Sequence, residues 1–350
     1  MASIQERSNI GVSSIVHFLK LLHFIVTTFQ MYHSPLPLKT ERAKKKASDG
    51  SEATMKRPFE VDVMEYPFKD QWLPYRNGNI HYIDEGNGPT VLLLHGNPTW
   101  SYLYRNVIKE LRGEFRLIAP DYPGFGMSKA PFGYGYTPQE HSEAISVFIR
   151  CLGLKDFIIV VQDWGGPIGL NYAIRNRDQL RGIVLMNTWA WPATLLPMKL
   201  FSLVMGGWPF GYWLQTRRNF FAKVIVPHSI HHAEKVTESL RKAYTDPFPT
   251  PESRIPTWVF PGQIRKARSW LAAIESGLPS LSDLPAQIMW GTKDSAGFPL
   301  EAMAKWQSYL PLNETEILDD ASHYVQEDRP DRVAASIRKI LTKTSGGKII

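Results

Sequence analysis

From Trp72 onward, short apolar runs alternate with longer stretches of helical spacing, the pattern of an α/β sheet covered on both faces. Ile80 to Glu85, Val91 to Leu94, Arg116 to Ala119, Phe157 to Val161, Gly182 to Met186, Ile288 to Trp290 and Glu314 to Leu318 read as strands, most of them parallel. Helical patterns lie near Tyr102 to Leu111, Pro138 to Arg150, Ile168 to Arg175 and Pro330 to Leu341. The fold class predicted is α/β, with a mostly parallel central sheet flanked by helices.

The alternation breaks between about Thr188 and Ser280. Trp189, Trp191, Trp208, Trp213, Trp258 and Trp270 sit there among prolines and short apolar helices, and strand patterning resumes at Pro285. The interval reads as a helical cap inserted into the sheet domain. Its tryptophans fill a second small core, roof an apolar cavity, or do both. The chain then divides into an N-terminal extension (1–57), a first core part (58–187), the cap (188–280) and a second core part (281–345).

An apolar share of 43% over 350 residues provides for a substantial core. The single Cys151 excludes an intrachain disulfide framework and paired-thiol chemistry. The net charge of +7 raises the question of nucleic acid. Residues 1–55 carry seven Lys or Arg against four Asp or Glu, so 7 − 4 = +3 of it comes from the leader. No basic stripe interleaved with aromatics accompanies the remainder, and a nucleic-acid partner is not expected.

Within the leader, Ile15 to Phe29 is apolar but interrupted by His17, Lys20 and His23, too broken for a spanning helix. A signal peptide is also a poor match, since Glu6 and Arg7 cancel to leave no charged excess in the n-region and no small-residue cleavage site follows. One reading is an interfacial amphipathic helix followed by the basic run Arg42 to Lys46, giving a cytoplasmic protein with peripheral membrane contact through residues 12–46. The other is a disordered leader, or translation beginning at Met55.

The chemistry centres on VVQDWGG, Val160 to Gly166, which runs from a strand through a tight turn into a helix. That is the context of a nucleophile elbow, with Asp163 where serine usually stands. A carboxylate there can displace a leaving group from an alkyl carbon, forming an ester that water must then cleave. In α/β-hydrolase sheets the acid and histidine follow the nucleophile in the chain. Asp294 and His323 follow the last two predicted strands in that order, and loops at strand carboxyl ends can converge. Asp319 and Asp320 belong to the turn before His323. His228 and His232 have helical metal spacing but no acidic motif, and read as surface or packing residues. The loop His95 to Trp100 supplies a backbone N–H at Asn97, paired with the N–H of Trp164 as an oxyanion hole. The Asn97 amide either points into the site or stabilises its turn. Asp121 to Ser128 reads as scaffold.

HGNPTWSYLYR (His95 to Arg105), DYPGFGMS (Asp121 to Ser128), VVQDWGG, WGTKD (Trp290 to Asp294) and SHYVQEDRPD (Ser322 to Asp331) together resemble a haloalkane dehalogenase of the α/β-hydrolase superfamily. The resemblance spans roughly residues 60–342. It implies Asp163 as nucleophile, His323 as base, Asp294 as acid, and Asn97 with Trp164 as the halide-stabilising pair. Asn187 stands where another subgroup carries a glutamate acid. No metal and no cofactor are implied; the partners are a small apolar halogenated substrate, water and the halide product. Epoxide hydrolases share the aspartate elbow but differ at HGNP and need cap tyrosines, for which Tyr212 and Tyr244 are available. A coelenterazine-type luciferase is a remoter enzyme option. A ligand-binding or receptor protein on the same shell is the non-enzymatic alternative.

Overall fold

The computed structural model describes residues 56–294 and 300–345. The chain divides at Pro58, and the fold lies in the unit from Phe59 onward. The leader helix and basic run expected for residues 12–46 lie outside the described residues.

Eight strands form one sheet: β1 (Gln71–Tyr75), β2 (Gly78–Glu85), β3 (Thr90–Leu94), β4 (Arg116–Pro120), β5 (Phe157–Asp163), β6 (Leu180–Thr188), β7 (Ala286–Gly291) and β8 (Asn313–Leu318). Their order is β1-β2-β4-β3-β5-β6-β7-β8. Pairing is antiparallel through β1, β2 and β4 and parallel from β4 to β8. β1 is not among the strands that the apolar pattern marks. Its five residues are edge-paired and interrupted by Pro74, which removes a ladder donor and hides the strand pattern.

β5 is buried at every position, as expected of a parallel strand covered on both faces. The pleat then divides the apolar runs between two cores. Leu92, Leu94, Ile159 and Val161 face one side, and Val91, Leu93, Ile158 and Val160 the other. Helices cover both: α1 (Arg105–Leu111), α2 (Pro138–Cys151), α3 (Gly165–Arg175) and, after β8, a helix at Pro330–Ser345. The start of α2 is fixed locally, because Thr137 and Glu140 form a reciprocal capping box with Pro138 at the first helical position.

Between β6 and β7 the chain forms α4 (Leu196–Met205), α5 (Phe210–Arg218), a π-helical turn at Phe221–Ile225, α6 (Glu238–Thr245), α7 (Ile255–Lys266) and α8 (Arg268–Gly277). α4 and α7 meet backbone to backbone. A Cβ on Gly206 would fall 2.2 Å from the Gly262 nitrogen, and the Ser202 hydroxyl donates to the Pro261 carbonyl at 2.6 Å. α8 lies against α3, with Gly277 packed on Ile174. Among the described residues no helix is long and apolar enough to cross a membrane.

One buried charge cluster ties α6 to the sheet unit. Arg105 donates to both Glu327 oxygens at 2.6 and 2.9 Å, and the Tyr244 hydroxyl donates to Glu327 at 2.5 Å. The Trp100 indole adds a bond to the Ala243 carbonyl at 2.8 Å. Removing one partner of a buried ion pair strands the other charge, so Glu327→Ala should cost about 3–5 kcal/mol in urea unfolding. Tyr244→Phe, which removes one bond to a charged group, should cost about 1.5–3 kcal/mol. A Glu327→Ala loss below that of Tyr244→Phe would refute this ranking.

Candidate active site

β5 ends on Asp163, whose φ of 50° lies in the left-handed region that non-glycine residues rarely adopt. α3 begins two residues later, so the chain reverses sharply around the carboxylate. Such a turn demands room. A Cβ on Gly96 would lie 2.3 Å from Asp163 Oδ1, one on Gly165 2.4 Å from the Leu94 carbonyl oxygen, and one on Gly166 1.9 Å from Thr188 Oγ1. Close approach therefore requires the glycines of HGNP and DWGG. The Asn97 N–H donates to Asp163 Oδ1 at 2.8 Å, and the Thr188 hydroxyl donates to the Asp163 carbonyl at 2.6 Å.

His323 follows β8 and reaches two carboxylates. Its Nδ1 is 3.0 Å from Asp294 Oδ2, and its Nε2 is 3.6 Å from Asp163 Oδ2. Asp294, just past β7, is held by Asn187 at the end of β6: the Asn187 amide donates to Asp294 Oδ2 at 2.8 Å and accepts from the Gly291 N–H at 2.9 Å. Burial is the strongest influence on the imidazole and lowers its pKa. The Asp294 charge, with the contacts to Asp163 and Asp294, outweighs it and pushes the value up to about 10. Three residues separated by 131 and 29 positions thus meet at the carboxyl ends of β5, β7 and β8.

Two neighbours had no sequence signal. Gln162, buried beside Asp163, donates its amide to the His323 carbonyl at 3.1 Å and places the same nitrogen 2.9 Å from His323 Nε2. An amide donor there fits a neutral ring with its lone pair on Nε2, whereas the two carboxylates favour the charged ring. His95 is neutral, since burial lowers its pKa to about 4. Its Nδ1 donates to the Gly96 carbonyl at 2.9 Å and its Nε2 accepts from the Tyr122 N–H at 3.1 Å, joining the loops after β3 and β4. A strand glutamine and a loop histidine are ordinary residues, and only packing distinguishes these.

The Asn97 side-chain amide and the Trp164 indole N–H make no hydrogen bond to any described residue, although both residues are buried beside Asp163. The Trp164 ring packs edge-on to Trp189 at 4.7 Å and against Phe260 of α7 at 5.1 Å. Phe260 in turn stacks on His141 at 5.1 Å. The inserted helices therefore deliver an aromatic side chain directly to the residue after Asp163.

Other residues go elsewhere. The His231 and His232 N–H groups donate to Asp328, His232 pairs with Glu234, and His228 bonds the Val224 carbonyl. No group of three or more His, Cys, Asp or Glu among the described residues could hold a metal ion. Asp320 pairs with Arg329. Asp121 accepts from the Ser101 and Met127 N–H groups and pairs with His81, anchoring its loop. The Tyr244 hydroxyl is spent on Glu327, while Tyr212 packs against Trp208 and Trp258.

Residues 89–330 match the model of the α/β-hydrolase fold family. Haloalkane dehalogenase 2 of Mycobacterium tuberculosis is 42% identical over 280 residues, which is 80% of this chain and 97% of that protein. This chain is a member of the haloalkane dehalogenase family. A haloalkane dehalogenase from Agrobacterium tumefaciens, solved as a single-site mutant, superposes with a TM-score of 0.72 at 27% identity, covering 80% of this chain and 99% of that one. A cis-3-alkyl-4-alkyloxetan-2-one decarboxylase of Shewanella oneidensis is 33% identical over 79% of this chain and 90% of its own length. The strand order here, parallel from β4 to β8, fits the α/β-hydrolase fold.

The raised His323 pKa has a consequence for stability. A folded value above the ordinary 6.5 means the interaction contributes fully below pH 6.5 and is lost as pH rises through about 10. Urea midpoints measured across pH 6.5–10 should fall more steeply for the native chain than for His323→Gln. Parallel curves would count against the carboxylates as the cause.

Proposed function

We propose that this haloalkane dehalogenase family member hydrolyses carbon–halogen bonds, giving an alcohol and a halide through an ester on Asp163. The observation that carries the reading is a pair of N–H donors, the Asn97 amide and the Trp164 indole, that make no hydrogen bond to any described residue and flank a carboxylate in an aromatic setting. A departing halide needs donors of that kind, placed before the reaction and shielded from water.

In the first step Asp163 Oδ2 attacks the halogen-bearing carbon, while Oδ1 stays on the Asn97 N–H. The carbon–halogen electron pair leaves with the halide, which takes the two side-chain donors. The new ester carries no charge, so His323 loses the Asp163 contribution to its raised pKa and shifts toward the neutral form that the Gln162 amide fits. His323 Nε2 then takes a proton from water as its oxygen attacks the ester carbon. Asp294 stabilises the imidazolium, and Oδ1 carries the transient negative charge against the Asn97 N–H. Collapse releases the alcohol and restores the carboxylate. The epoxide reading is weaker, because the Tyr244 hydroxyl that would protonate an opened ring already serves Glu327.

A second reading is favoured by the decarboxylase relatives. The same carboxylate could open an oxetan-2-one at the ring carbon bearing oxygen. Loss of carbon dioxide would then form the alkene and return the carbon–oxygen pair to Asp163. That sequence needs no water, whereas halide hydrolysis needs His323 as base.

Incubation with 1-bromobutane or 1,2-dibromoethane should release bromide, and Asp163→Ala should abolish it. His323→Phe should leave the alkyl adduct on Asp163, visible by mass spectrometry. Asn97→Leu or Trp164→Phe should each lower kcat by about 10²–10³, the effect of removing one charge-stabilising donor. Alkene from a cis-dialkyl oxetan-2-one without bromide release would replace the first reading with the second.

A further inference from the structure

The outer surface of the inserted helices carries a second feature, independent of which bond the site cleaves. α4 is two-faced. Ser202 and Met205 are buried, Met198 and Phe201 pack inward, and Leu196 (64% exposed) and Leu203 (52%) project outward one heptad apart. Leu195 before the helix is also exposed, and the turn into α5 adds Trp208 (74%) and Phe210 (41%). Large apolar side chains clustered this way on one surface segment mark an interaction site.

Charge selects the partner. From Gln179 to Ala233 the chain contains no Asp or Glu, but carries Arg181, Lys199, Arg217, Arg218 and Lys223. Lys199 lies between Leu196 and Leu203 on the outward arc of α4, and Arg217 and Arg218 close the last turn of α5. Contacts of Gly207 with Trp258 and of Ser202 with Pro261 run α4 antiparallel to α7, which carries the start of α4 toward the exposed Arg265 and Lys266. A second copy of the chain would bring this cationic face against itself. The leader, with its own net +3, has the same sign. An anionic lipid surface complements both properties, taking the leucines and Trp208 at headgroup depth and the cations at the phosphates.

We propose that the α4–α5 face docks on anionic membrane surfaces, through a segment distinct from the leader. The inner side of the same helical layer reaches the site, since α4 packs on α7 and α7 supplies Phe260 to Trp164. A docked chain would therefore hold the aromatic surroundings of Trp164 on the side of the helical layer that faces away from the phase in which apolar substrates concentrate, one helix layer from it.

Flotation of the full chain with phosphatidylcholine vesicles, with and without phosphatidylglycerol, tests this. The native chain should bind only the phosphatidylglycerol vesicles, and less at high salt. The double substitution Leu203→Ser with Trp208→Ala, and separately Lys199→Glu, should each lower partitioning at least about tenfold with the thermal midpoint unchanged. Absent binding, binding that ignores phosphatidylglycerol, or binding these substitutions leave intact would overturn the proposal. Intact binding would place membrane contact elsewhere, such as the leader. A concentration-dependent dimer that the same substitutions dissociate would assign the face to a second copy and equally overturn it.

Discussion

The site depends on one backbone constraint, the positive φ of Asp163 at the end of β5. A non-glycine residue held there costs on the order of 1–3 kcal/mol, and the surroundings must over-determine it. They do so by proximity: the Asn97 N–H on the carboxylate, the Thr188 hydroxyl on the carbonyl, and three glycines whose missing side chains let two other strand ends close in. The same contacts that hold the strain also aim the carboxylate. Oδ1 is occupied by a donor and Oδ2 is left toward His323, so the two oxygens are no longer equivalent.

Buried charges extend that constraint outward. His81 with Asp121 fixes the loop after β4, and His95, kept neutral by burial, joins that loop to the one carrying Asn97. Arg105 with Glu327 joins the segment after β3 to the one after His323, and Tyr244 adds α6 to the same pair. These pairs are weak evidence for net stability, since desolvation offsets much of their attraction. Their geometric effect is clearer, because each ties together segments distant in sequence around the place where Asp163, Asp294 and His323 meet.

The inserted helices then serve two surfaces. Inward, Phe260 and Trp189 surround the Trp164 ring and supply the apolar setting in which an N–H donor is worth most. Outward, the same layer presents apolar and cationic side chains that the sheet unit does not use. The tryptophans of this segment illustrate the division. Trp189 belongs to the site, Trp191 packs on Trp306, and Trp208 stands in solvent.

Sequence by itself determined seven of the sheet's strands, because parallel strands buried on both faces read as apolar runs, and the elbow, because DWGG after such a run has few other structural uses. It also determined the family, through motifs whose glycines are demanded by contacts under 3 Å. β1 escaped because an edge strand with a proline shows no run. Tertiary structure alone decided that Gln162 faces His323, that Asn187 holds Asp294, that Tyr244 is bound to a buried carboxylate, and that the Asn97 and Trp164 side-chain donors bond no described residue. These are contacts between residues 83 to 161 positions apart, or choices of side-chain direction. A one-dimensional pattern records which groups exist and how they recur, while the meeting of strand ends sets which of them touch.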